Sequence, residues 1–314
     1  MTLPRVTIIT PSFNQAQFLE QTLQSVLSQG YPNLEYLVVD GGSTDGSVEI
    51  IQRHADSLVW WVSEPDHGQA EAVNKGLARA SGEIIGWLNS DDLYESGAIA
   101  AAVKAFADHP ECALVHGDVR AVDAEGCTTN LLSYGNWGLD GLMCFQIMGQ
   151  PSVFIRRSAV EQGGTLDLSY HYLLDHEWWL RLAQFGGVAY VPQTWSAARF
   201  HAAAKNVAHA SEFGAEAYRI VEWMQTQPNL QARFARLKRK IWAGAHRINA
   251  RYLLDGDQPR AALYAYSRSF WADPATALAE FPRMVYALAA SLGFGAGLRA
   301  FYLNWRQKRM DRHG

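Results

Sequence analysis

The sequence predicts an α/β fold, with a mostly parallel sheet, flanking helices and a helical C-terminal extension. Three observations lead there. From Arg5 to Gly117, short β-branched runs alternate with segments of helical period, the order of parallel strands joined by crossover helices. Acidic and glycine-rich segments fall directly after those runs, at the carboxyl ends of strands, where open α/β sheets gather their ligands. From about Ser211 onward the period is almost wholly helical, with Arg233, Arg236, Lys238, Arg239 and Lys240 close together. The boundary is drawn near residue 205, giving a domain over 1–205 and an extension over 206–314.

The first strand is Val6 to Thr10, closed by Pro11, whose ring removes a backbone donor. Phe18, Leu19, Thr22, Leu23, Val26 and Leu27 then recur at helical spacing until Gly30. Leu34 to Val39 is the second strand and runs into Asp40-Gly41-Gly42. Ser47 to His54 reads as a short helix, Val59 to Val62 as a strand, and Gln69 to Ala80 as a helix stopped near Gly82. Ile84 to Leu88 is a strand leading straight into Asn89-Ser90-Asp91-Asp92. Beyond Gly117 the pattern loosens through Gly149, as expected of a region that departs from the regular sheet.

With 314 residues, 48% hydrophobic and 18% charged, the chain has the composition and length of a globular protein with one large domain and an appendage. Cys112, Cys127 and Cys144 are too few for a disulfide framework and too far apart for a C-x-x-C pair, so a reducing, cytoplasmic setting is expected. The opening MTLPRVTIIT lacks the basic and long apolar regions of a secretory signal, and none is expected. Net charge is −4 but unevenly spread: residues 1–204 carry 10 Lys+Arg against 23 Asp+Glu, and residues 205–314 carry 17 against 8. An acidic front half suits a site built from carboxylates. The basic remainder suits an anionic lipid surface, or is a solvated helical face. No nucleic-acid partner is expected.

Three segments carry chemistry. Asp40, at a strand end, is followed by glycines that let backbone approach a ligand closely, although Asp-Gly is also ordinary turn chemistry. Glu64-Pro65-Asp66-His67-Gly68 follows the next strand, with Lys75 on the helix beyond; Asp66 is a ligand contact or an N-cap. Asp91 and Asp92 are adjacent carboxylates at the end of an apolar strand, which repel unless a cation or a hydrogen-bond network stabilises them. A hard cation, Mg²⁺ or Mn²⁺, would do so while neutralising a diphosphate. Neither G-x-G-x-x-G nor G-x-x-x-x-G-K-[ST] is present, which leaves dinucleotide and P-loop readings unsupported.

Taken in order, Thr10-Pro11-Ser12-Phe13-Asn14, Val39 to Gly46, Glu64 to Gly68 and Asn89 to Asp92 resemble the family 2 glycosyltransferases, over about residues 4–205. The resemblance implies a Rossmann-like sheet of the GT-A type, a nucleotide-diphosphate sugar donor, a divalent Mn²⁺ or Mg²⁺ ion, and a carbohydrate or lipid-linked acceptor. Carried over by position, Asp40 reads the base and Pro11 shapes the base pocket, with Phe13, Asp66, Lys75 and Asp91 on the donor side. Asp92 holds the metal, because the usual D-x-D is here Ser90-Asp91-Asp92 and retains only its second carboxylate. His201 meets the metal or the diphosphate. Gln150 lies in a segment resembling the family's acceptor side. Leu174 to Arg181 resembles its catalytic helix, which makes Asp175 the general base. Trp179, four residues on, shares that helical face and could offer a sugar a stacking platform, or it belongs to the core with Trp178 and Leu182.

The implied reaction is one in-line displacement that inverts the anomeric carbon. Q-x-x-R-W and membrane spans, features of the processive members, are absent from the sequence, so transfer of a single sugar is expected. A sugar-phosphate nucleotidyltransferase and a catalytically inactive nucleotide-sugar-binding relative are the competing readings. Against the first, Pro11 to Asn14 contains no basic residue; against the second, Asp40, Asp92 and Asp175 are retained. Phe301, Tyr302 and Trp305 beside Arg306, Lys308, Arg309 and Arg312 suit an interfacial helix on anionic lipid, or a helical cap on the enzyme.

Overall fold

In the computed structural model, which describes residues 3–201 and 212–294, the β-branched runs become strands with both faces covered. Strands β1 (Val6–Ser12) and β2 (Leu34–Asp40) are almost wholly buried, the usual state of parallel strands between layers of helices. Helix α1 (Ala16–Leu27) joins them and buries Phe18, Leu19, Thr22, Leu23 and Val26, the stripe read from the sequence. Helix α2 (Ser47–Arg53), β3 (Trp60–Ser63), α3 (Gln69–Arg79) and β4 (Ile84–Trp87) complete the regular part. These four strands are parallel in the order β3-β2-β1-β4, so the order reverses at β1.

Pro11 does not end β1, contrary to expectation. Val6 donates its N–H towards β2, at Asn33 O, whereas Ile9 O accepts from Leu88 on the β4 side. By the twofold alternation of a strand, position 11 faces β4, and the β1–β4 register stops at Ile9. The missing N–H therefore costs no ladder bond, and β1 continues to Ser12 alongside Asp40.

Beyond β4 come β5 (Leu93–Tyr94), α4 (Ala98–Asp108), β6 (Cys112–Val122), β7 (Thr128–Leu132), α5 (Gly138–Met143), β8 (Val153–Arg156), α6 (Arg157–Gly163), α7 (Leu174–Leu182) and β9 (Gly187–Arg199). The sheet runs on as β4-β8-β6-β9-β5, with β7 paired to β6. Strand β8 is antiparallel to β4 and β6, and β9 is parallel to β6. Where the pattern loosens at Gly117, β6 continues with irregular register. A Cβ there would lie 2.7 Å from the Trp195 ring, so the glycine marks a close approach within the strand and not its end.

The chain divides into two units, Met1–Leu139 with Ile147–Arg199, and Asp140–Gln146 with Phe200–Gly314. The second is built on helices α8 (Phe213–Thr226), α9 (Gln231–Asp255), α10 (Pro259–Ala272), α11 (Pro274–Leu278) and α12 (Phe281–Ser291). It takes in residues 140–146, which lie in the first domain on the sequence reading. Arg233 and Arg236 both pair with Asp140, and Arg247 donates to Phe145 O at 2.6 Å. Gly244 leaves room for the Cys144 carbonyl, which would lie 2.2 Å from a Cβ.

Candidate active site

Strands β1 to β4 are parallel, so their carboxyl ends and the loops after Ser12, Asp40, Ser63 and Trp87 lie along one edge of the sheet. Strand β9 runs in the same sense as β4, and β8 in the opposite sense. That brings Arg199 and Gln150 to the same edge. The reversal of order at β1 opens a crevice there, the usual ligand position in such sheets. Pro11 is buried in it, while Phe13 stands 59% exposed and Asn14 adopts a left-handed backbone.

Asp40 has no exposed surface and is held by its own loop. Its Oδ2 accepts from Gly42 N at 3.1 Å, Ser43 N at 2.9 Å and Ser63 Oγ at 2.7 Å, and its Oδ1 accepts from Ser43 Oγ at 2.5 Å. This carboxylate shapes the turn after β2 and presents no open face to a base. Asp66 is half-buried, with Oδ1 accepting from Gly68 N at 2.8 Å. Its Oδ2 lies 2.9 Å from where a Cβ on residue 41 would sit, so glycine at 41 makes room for the Asp66 side chain. Nearby, Ser12 Oγ is buried without a hydrogen-bond partner.

After β4, Asn89 ties the edge together. Its Oδ1 accepts from Gln69 Nε2 at 2.6 Å and Trp87 Nε1 at 2.9 Å, and its Nδ2 donates to Gln150 Oε1 at 3.0 Å and Asp92 Oδ2 at 3.3 Å. Asp92 is 6% exposed, and Arg199 N donates to its other oxygen at 3.0 Å. Burial, and then the neighbouring Asp91 charge, push the Asp92 carboxyl well above the ordinary range. Asp91 is the half-buried member of the pair. Arg199 donates to Asp91 O, Ala124 O and Gln21 Oε1, and its guanidinium lies over the Phe18 ring. Sequence reasoning missed the roles of Arg199 and Asn89. Arg199 had one available signal, its place two residues before His201 at the end of a strand.

The remaining assignments divide. Asp175 is half-buried in the first turn of α7, its Oδ1 accepting from His176 N at 2.7 Å, where a helix N-terminus favours negative charge. Glu177 is buried and takes two bonds from Arg181, at 2.7 and 3.0 Å. A reciprocal pair of 2.9 Å bonds between Asn74 and the backbone of Leu166 ties α3 to the segment that leads to α7. Trp179 needs correction: at 2% exposure its ring is enclosed in the core and offers no platform to a sugar. Gln150 spends both ends of its amide internally, donating to Trp87 O at 2.7 Å and accepting from Asn89. Lys75 pairs with Glu64 at 2.9 Å and Glu71 at 3.2 Å, which raises its pKa. His201 is half-buried at the start of the second unit. Among the described residues no three His, Cys, Asp or Glu side chains are gathered as a metal cage.

Carboxylates gathered at the strand ends beside a switch point make a ligand site of the kind open α/β sheets carry. Residues 7–151 match the model described as glycosyl transferase family 2. Over 193 residues the chain is 31% identical to the putative teichuronic acid biosynthesis glycosyltransferase TuaG of Bacillus subtilis, covering 60% of this chain and 75% of that protein. The chain belongs to glycosyl transferase family 2. Its fold is that of GT-A enzymes. The mannosyltransferase PcManGT from Pyrobaculum calidifontis, solved with GDP-Man and Mn²⁺, matches with a TM-score of 0.61 at 23% identity, over 98% of this chain and 84% of that one. Residues 1–349 of S. aureus TarS, solved with UDP-GlcNAc, match with a TM-score of 0.59 at 15% identity, over 97% and 92%.

Proposed function

We propose that this glycosyltransferase moves a single hexose, with inversion, from a nucleoside diphosphate sugar to a hydroxyl of a carbohydrate or lipid-linked acceptor. The observation that carries the reading is the division of carboxylates along one sheet edge. Asp40 and Asp92 are buried on protein donors, whereas Asp66 and Asp91 are half-exposed around the crevice. Asp66 is the acceptor we assign to base N–H groups, with the unsatisfied Ser12 hydroxyl beside it. Asp40 supports that pocket from behind. The donors printed for PcManGT and TarS favour a nucleoside diphosphate hexose, and similarity to TuaG favours polysaccharide or glycolipid assembly.

Asp91, more than Asp92, suits a divalent ion. Mg²⁺ and Mn²⁺ are commonly held by one or two carboxylates together with substrate phosphates, which fits a half-exposed carboxylate outside any all-protein cage. When bound, such an ion offsets the charge that develops on the departing diphosphate. Asp92 positions the loop through Arg199 and Asn89. Asp175 accepts the proton of the acceptor hydroxyl as its oxygen attacks the anomeric carbon. The bond to the diphosphate breaks, and its electron pair leaves with the nucleotide.

The test is single-turnover transfer by wild type and Asp175→Asn, with the anomer of the product read by NMR. The variant should lose about 10²-fold or more in rate and keep its donor affinity. Retention of configuration, or near-normal transfer by the variant, overturns the mechanism. We further propose a cytoplasmic location, peripheral to the inner face of a membrane. Among the described residues no helix is long and apolar enough to cross one. The tail reading on residues 301–312 lies outside the described residues.

A further inference from the structure

Within the second unit, α10 carries an unusual exposed face. Arg260, Tyr264, Arg268 and Trp271 follow one another at steps of four, four and three, which places them on one side of the helix. All four are exposed, Tyr264 by 67% and Trp271 by 80%, while Ala262, Ala265, Tyr266 and Ser269 fill the opposite, buried side. The next long helix, α12, repeats the theme in apolar form: Phe281, Val285, Leu288 and Leu292 form an exposed stripe. The two helices meet where Arg260 and Leu292 line one open depression.

The charge on this surface selects its partner. Between Pro259 and Phe294 the only acids are Asp273 and Glu280. Asp273 is spent on capping α11, accepting from Thr276 N at 3.0 Å and Thr276 Oγ1 at 2.6 Å. Glu280 is buried beside Arg247, Arg251 and Arg283. Arg260 and Arg268 make no ion pair among the described residues. The face thus offers two uncompensated guanidinium groups interleaved with an amphipathic tyrosine and tryptophan, next to a row of bare aliphatic and aromatic side chains. A twofold contact between copies would bring these cations together with no acid to pair them. An anionic lipid interface supplies phosphates for the arginines, headgroup depth for Tyr264 and Trp271, and acyl chains for the α12 stripe.

We propose that the α10–α12 face is a docking surface for an anionic membrane. The inference deepens the peripheral placement proposed above and rests on it, but names a surface separate from the C-terminal tail. The experiment is co-sedimentation of the full chain with vesicles of phosphatidylcholine alone and with added phosphatidylserine. Binding should require the anionic lipid and weaken as salt rises. At about fivefold per cation, Arg260→Gln/Arg268→Gln should bind about 25-fold more weakly. Trp271→Ser, an exposed position, should also weaken binding while leaving the melting temperature and transfer to a soluble acceptor unchanged. If the full chain and both variants bind anionic vesicles equally, this face is refuted and the peripheral placement survives. If the full chain binds neither vesicle, both fail, with the transferase reading untouched. A dimer by light scattering that Trp271→Ser dissociates, without vesicle binding, assigns the face to a second copy and overturns the proposal.

Discussion

Replacing Asp91 and Asp92 separately by alanine should produce opposite phenotypes. Asp92→Ala removes the acceptors of Arg199 N and Asn89 Nδ2 at a site only 6% exposed. Each donor left buried without its acceptor costs roughly 1–3 kcal/mol, so the two together cost about 2–6 kcal/mol. In a protein of this size that corresponds to a melting temperature lower by about 3–9 °C. Asp91 is half-exposed, and its loss should shift melting by no more than about 2 °C, the scale of an ordinary surface change. The nucleotide readout should invert. Calorimetric titration of UDP and GDP with and without Mn²⁺ should show metal stimulation in Asp92→Ala, measured well below its lowered melting point, and none in Asp91→Ala. Metal-stimulated binding that survives in Asp91→Ala and vanishes in a folded Asp92→Ala would refute the reasoning and return the metal to Asp92.

Asn89→Ala deletes four side-chain bonds at once, to Gln69, Trp87, Gln150 and Asp92, and should cost about 2–4 kcal/mol by urea denaturation while weakening nucleotide binding. Trp179→Phe should lower stability by roughly 1–3 kcal/mol, as a core truncation does, and leave the acceptor KM unchanged; a selective rise in KM would restore the platform reading. Burial pushes the His116 imidazole down to about 4. The folded state therefore binds fewer protons than the unfolded chain as pH falls from about 6.5 towards that value. The resulting loss of stability, about 2 kcal/mol between pH 7 and pH 5, should disappear in His116→Gln.

The sequence showed the first four strands and the helices between them, because β-branched runs and glycine-acid punctuation are local properties; β5 to β9 and the order of the sheet rest on pairings between distant segments. It did not show which carboxylate faces outward. Asp40 and Asp66 both follow strands, yet two serine hydroxyls and two backbone N–H groups close around Asp40, one of the hydroxyls supplied by Ser63 on the neighbouring strand. Asp91 and Asp92 are alike in residue type, and only the family resemblance singled out Asp92; what separates them in the structure is Arg199, 107 positions beyond Asp92, reaching back across the sheet. Helical spacing correctly aligned Asp175 with Trp179, but a shared face can be covered further along, and there the tryptophan is core. Pro11 misled for the opposite reason: its effect depends on which neighbour the missing donor faces, a matter of register that no local window contains.

Gly41 and Asp66 occupy what amounts to one volume. With 2.9 Å between the Asp66 carboxylate and the place where a Cβ on residue 41 would sit, a side chain at 41 requires that carboxylate to turn aside. Across related chains the two columns should therefore co-vary, a larger residue at the first appearing with a shorter one at the second. A double-mutant cycle that enlarges residue 41 and shortens residue 66 should therefore be non-additive.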